Sequence, residues 1–178
     1  MLKINLWIRK LRPYPQKLSM RTEIIFSACV ILLGMSMGLI AKMTDSVSII
    51  GDIGTELSIW VFAATIIAAY SRYPVSAAIN VLLFFISMLA AYYIYGFVVL
   101  NFFPKTYFLA WLVVALISSF AGFCTWFSRA KGIVGSVATA LPAALLFAHG
   151  YPAFYTSRLP LYLSLVMGLH YVFSCHGQ

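Results

Sequence analysis

Long apolar runs alternate with connectors of a few polar residues along nearly the whole chain. The runs cover about Ile24 to Ala41, Leu57 to Tyr70, Val75 to Leu100, Tyr107 to Phe127, Ile133 to Ala148 and Leu159 to Phe173. A helix needs about 20 mainly apolar residues to cross about 30 Å of hydrocarbon. The pattern therefore predicts an all-α, polytopic transmembrane helix bundle of six spans. The second run is short for a crossing, and Ile49, Ile50 and Ile53 are available to extend it. Ser71-Arg72-Tyr73-Pro74 is a tight connector that places proline at a helix start, where its missing N–H costs nothing. Asn101 to Thr106, with Pro104, and Ser128 to Gly132 are the next two connectors. The last runs from His149 to Arg158. Pro142 lies inside the fifth run, where it predicts a kink and frees a carbonyl near Ala138.

Hydrophobic residues make up 63% of the 178 positions and charged residues only 9%, which leaves no stretch for a separate soluble domain. Residues 1–22 form a basic cytoplasmic arm or interfacial helix, and 23–178 form one transmembrane domain. The arm holds Lys3, Arg9, Lys10, Arg12, Lys17 and Arg21, so its expected partner is the lipid bilayer with its anionic headgroups. Nucleic acid is not an expected partner, because the net charge of +8 is not gathered on a folded amphipathic surface. With the N-terminus inside, nine Lys and Arg residues fall on inner segments, and three, Lys42, Lys105 and Arg158, on outer ones. Cytoplasmic loops retain more Lys and Arg, so both termini are expected in the cytoplasm. The first run is too long, and Lys42-Met43 too poor a cleavage box, for a removed signal peptide. Cys29, Cys124 and Cys175 show no paired spacing and predict neither a disulfide framework nor a zinc site.

Three polar or small-residue features carry the candidate chemistry. Asp45, Asp52 and Glu56 lie in the first outer segment. If residues 52 to 56 are helical, two carboxylates share a face and could hold a cation or a basic peptide. Charge complementation of the next helix start explains the same acids. Asn80 is the amide placed at membrane depth, as interhelical glue or as a cavity wall. Tyr92, Tyr93 and Trp111 belong to an aromatic cluster around the second outer connector, an interface belt or a ligand-binding wall. Gly34 and Gly38 form a GxxxG seam on the first run, for packing against another span or a partner subunit.

No run holds Asp, Glu, Lys or Arg in its middle, which argues against a proton-coupled pump. His149 falls outside and Cys175 and His176 inside, so they cannot share one site. No HExxH or paired-acid motif is present. No enzyme activity, cofactor or metal is expected.

Ala77 to Leu89, with Tyr92-Tyr93, resembles an uncharacterised family of small integral membrane proteins of Gram-positive bacteria, a domain of unknown function. That resemblance implies a bacterial plasma membrane and no activity. Size and span count are also similar to the S-components of energy-coupling-factor vitamin transporters. There a small-xxx-small motif on the first span meets the coupling subunit. The resemblance implies that role for Gly34 and Gly38, with another membrane subunit or an ATPase as partner. The expected function is thus a small ligand-binding or accessory subunit of a membrane transport system. The alternatives are a non-transporting membrane interaction, immunity or regulatory protein and, less favoured, an intramembrane enzyme.

Overall fold

The computed structural model describes residues 11–13, 20–44, 57–101 and 103–150. All the regular structure among them is helical. The helices are α1 (Met20–Thr44), α2 (Leu57–Tyr70), α3 (Pro74–Leu100), α4 (Lys105–Trp126) and α5 (Ile133–Gly150), with a 3-10 turn at Phe127–Arg129. α1 and α3, and α4 with its 3-10 extension, are long and apolar enough to cross a membrane. At 1.5 Å per residue α3 is ~40 Å long and α2 only ~21 Å. The sixth predicted run and the acidic segment with Asp45, Asp52 and Glu56 lie outside the described residues.

Helix ends coincide with the punctuation in the sequence. Pro74 opens α3, and the N–H of Ala77 donates to the Tyr73 carbonyl, 2.9 Å away. Asn101 stops α3 in the left-handed region at φ 51°, which an Asn adopts more readily than a branched residue. Gly132, at φ 75°, takes the same conformation ahead of α5.

The chain divides into two compact units. The first combines residues 57–77 and 122–150 with the short piece 11–13, and the second combines α1 with residues 78–121. In the second unit α1 lies along α3 in the same direction. Ser27 meets Asn80, Gly34 meets Phe84 and Ser87, Gly38 meets Met88, and Lys42 meets Tyr92. Val30, Gly34, Gly38 and Ala41 are the buried residues of α1, one per turn, a seam of small side chains. A Cβ on Gly38 would collide with the carbonyl oxygen of Met88 and sit 3.1 Å from its Cα. A Cβ on Gly34 would collide with Ser87 Oγ and the Phe84 carbonyl. Gly34 and Gly38, expected to pack against another span or a partner subunit, lie against α3 in close backbone contact.

α4 runs back along α3. Phe108 packs on Tyr93 near one end of the pair, and Ser119 Oγ donates to the Ala78 carbonyl, 3.0 Å away, near the other. In the first unit α2 packs against α5. Gly135, Ala138, Pro142 and Leu146 form the buried stripe of α5, so Pro142 sits on the packed face. Gly135 is required there because a Cβ would strike the Ala130 carbonyl.

Candidate functional site

Two clusters stand out, one in each unit. In the second unit, α3 and α4 pack side by side near the Asn101 connector. Beside them lies an apolar groove of about 470 Å³ walled by Leu89, Tyr93, Phe97, Phe103, Phe108 and Leu112. This lies within the ~300–1,000 Å³ typical of small-molecule sites. Edge-to-face contacts hold its aromatic end: Tyr93 lies 5.1 Å from Phe108 and 5.7 Å from Phe103, ring centre to ring centre. Ile94 and Phe97 are exposed along the rim, so the opening faces sideways, where lipid lies if α3 spans a bilayer. A smaller groove of about 340 Å³ adjoins it across Ala90 and Ile94, with Met35 and Leu39 of α1 on its far side.

The predicted site residues separate here. Tyr93 is buried and forms the groove's aromatic wall. Tyr92, one residue on, points instead to α1. Lys42 Nζ lies 4.7 Å from its ring centre and donates to its hydroxyl at 3.4 Å. Lys42 also sits in the last turn of α1, where a cation is favoured by the helix dipole. Trp111 is half-buried on α4 and does not line either groove. Asn80 is fully buried and accepts a 2.7 Å hydrogen bond from Ser27 Oγ, which places it as interhelical glue in the α1–α3 seam. Such bonds contribute on the order of 0.6–2 kcal/mol in a bilayer. Among the described residues no three His, Cys, Asp or Glu side chains gather closely enough to hold a metal ion.

The cluster in the first unit is one the sequence reading missed. Trp126 ends α4 fully buried, and its Nε1–H donates to the Ser71 carbonyl, 2.9 Å away. Arg12 lies over the indole at 4.2 Å and donates to the carbonyls of Trp126, Ala69 (2.8 Å) and Ser71 (3.5 Å). Arg129 Nη1 reaches the same Ala69 oxygen at 3.5 Å, with its guanidinium 5.0 Å from the Tyr70 ring centre. The Lys131 N–H donates to the Leu11 carbonyl at 3.2 Å, tying residues 11–13 to the turn after α4. The last carbonyls of a helix lack intrahelical donors, and Arg12 supplies them to α2 and α4 at once. Burial, and next the charge of Arg129, lower the Arg12 pKa to about 10, so the group stays charged at neutral pH.

The only advance signals were an arginine just before Pro13 and a tryptophan at an inner helix end. No protein-family model, no curated protein and no solved structure matches the chain.

Proposed function

We propose that the protein is a six-span, multi-pass protein of the bacterial plasma membrane with both termini in the cytoplasm. It takes an apolar ligand from the bilayer into the α3–α4 groove, as a small ligand-binding or accessory subunit of a membrane transport system. The observation that carries this reading is the sideways-opening groove with its wholly apolar wall and fixed aromatic end. Nothing polar in that lining would recognise a hydrophilic solute, whereas an acyl chain or a planar lipophile loses no hydrogen bonds on entry.

Parallel packing of α1 on α3 supports the span count. Two spans that run in the same direction need a return crossing between them in sequence, a role the short α2 would fill. α4 then runs antiparallel to α3, as an odd-to-even pair of spans does. The Lys and Arg asymmetry sets the orientation. A reporter enzyme fused after Gln178 is therefore expected to behave as cytoplasmic; an external signal would sink the six-span arrangement.

Ligand entry is tested with a diazirine-bearing long-chain fatty acid and the purified full chain in nanodiscs. Labelling should concentrate on Ile94, Phe97 and Phe103 and be competed by unlabelled fatty acid. It should fall in Ala90→Trp, whose side chain would obstruct the wall that the two grooves share. Equal labelling of Ile24 and Ile40 on the exposed face of α1 would reduce the groove to ordinary lipid contact. That outcome would favour the non-transporting interaction protein.

A further inference from the structure

Four cations, Arg12, Arg72, Arg129 and Lys131, belong to the described part of the first unit, and no Asp or Glu occurs anywhere in the sequence after Glu56 or before Glu23. Among the described residues none of the four pairs with a carboxylate. The C-terminal ends of α2 and α4 offer partial negative charge of about half a unit each. Two helix ends therefore offset about one of four positive charges, leaving an excess of about three. The excess is concentrated, because Arg12 and Arg129 converge on one oxygen, that of Ala69.

Two further donors flank this knot in sequence and lack acceptors. Arg72 follows Ser71, whose carbonyl already receives Arg12 and Trp126, and its Nη1 is buried with no hydrogen-bond partner. Ser128 follows Trp126 by two residues. It is more than nine-tenths buried, and its Oγ is likewise without a partner. Among the described residues no carboxylate faces these buried donors, and a cationic setting with unpaired donors favours an anionic acceptor.

We propose that this end of the first unit binds a phosphate oxyanion, supplied by the headgroup of an anionic phospholipid. Guanidinium forks match phosphate oxygens, and basic pockets between spans on the cytoplasmic side bind such headgroups. The lipid is favoured over a free anion because exposed apolar side chains lie in the same unit. Tyr70, Val75 and Ile133 offer acyl chains a surface beside the charged groups. This differs from diffuse attraction to a basic arm: the site is built from residues 12, 72 and 128–131, which three connecting segments bring into one unit. It rests on the membrane reading above.

The test uses the full chain in mild detergent, titrated separately with phosphatidylglycerol, phosphatidylcholine and inorganic phosphate. Apparent Tm and the number of retained lipids by native mass spectrometry are the readouts. Phosphatidylglycerol should stabilise saturably with one retained molecule, and phosphatidylcholine should not. Loss of a charge-assisted hydrogen bond in Arg129→Gln or Arg72→Gln should weaken that binding about tenfold. These two variants are chosen because Arg12 bridges two helices, so Arg12→Gln would confound binding with folding. Equal effects of the two lipids, or unchanged binding in both variants, would overturn the site. Saturable stabilisation by inorganic phosphate alone would keep the oxyanion chemistry and overturn the lipid as its source. The membrane reading fails separately, if alkaline carbonate extraction releases the chain from membranes.

Discussion

Gly38→Ala is expected to destabilise the protein despite alanine's better helix propensity, and Gly38→Leu to do so by about 2–3 kcal/mol. The two effects of the alanine oppose each other. Replacing a mid-helix glycine gains at most about 1 kcal/mol of propensity. The added Cβ, however, runs into the Met88 carbonyl oxygen and lies 3.1 Å from the Met88 Cα. Those atoms belong to the backbone of α3 and cannot rotate away, so the helices must separate along the whole seam. Separation also stretches the 2.7 Å Ser27–Asn80 bond at one end of the seam. Apparent Tm in detergent, compared with Leu32→Ala on the exposed face of α1, is the measurement. A Gly38→Ala protein at least as stable as the parent would show that α1 does not pack on α3 in this register. Loss of a co-purifying subunit at unchanged stability would return the glycines to a partner surface.

Helix positions were readable because lipid imposes a length and the chain marks its turns with Pro74, Asn101, Pro104 and Gly132. Helix faces were harder to read. A span apolar on every side has little periodic signal, so small residues alone pointed to the buried face of α1. On α3 nothing comparable separates Tyr92 from Tyr93. Adjacent helical residues point about 100° apart, which sends Tyr92 to Lys42 and Tyr93 to Phe108. As a pair they read as an interface belt; in place, one holds α1 and the other walls a groove.

The arginine knot was hidden for a different reason. Its acceptors are the carbonyls of Ala69, Ser71 and Trp126, and backbone groups carry no mark in a sequence. A basic arm before a span looks solvated until a specific residue is seen to cap two helices. A tryptophan at the inner end of a span suggests the headgroup belt, which expects a half-wet indole. Its complete burial reflects the convergence of residues 12, 71 and 126 instead.

That convergence makes Trp126→Ala the substitution with the largest expected effect, about 3–5 kcal/mol, the usual cost of emptying a buried tryptophan site. Cavity formation is only part of it. The Ser71 carbonyl loses its 2.9 Å donor, and the guanidinium of Arg12 loses the aromatic face on which it rests. Trp126→Phe separates these contributions, since it keeps a ring under Arg12 while deleting the N–H, at about 1 kcal/mol. The cation–π part is isolated by a double-mutant cycle between Arg12→Met and Trp126→Leu, with a coupling of about 1–2 kcal/mol expected for a desolvated pair. Zero coupling would mean that Arg12 is held by the three carbonyls alone. Positive coupling together with a large Trp126→Ala loss would establish that residues 11–13 are part of the folded unit rather than a basic leader to it. In that case deleting the first 13 residues should destabilise the chain by at least as much as Arg12→Met.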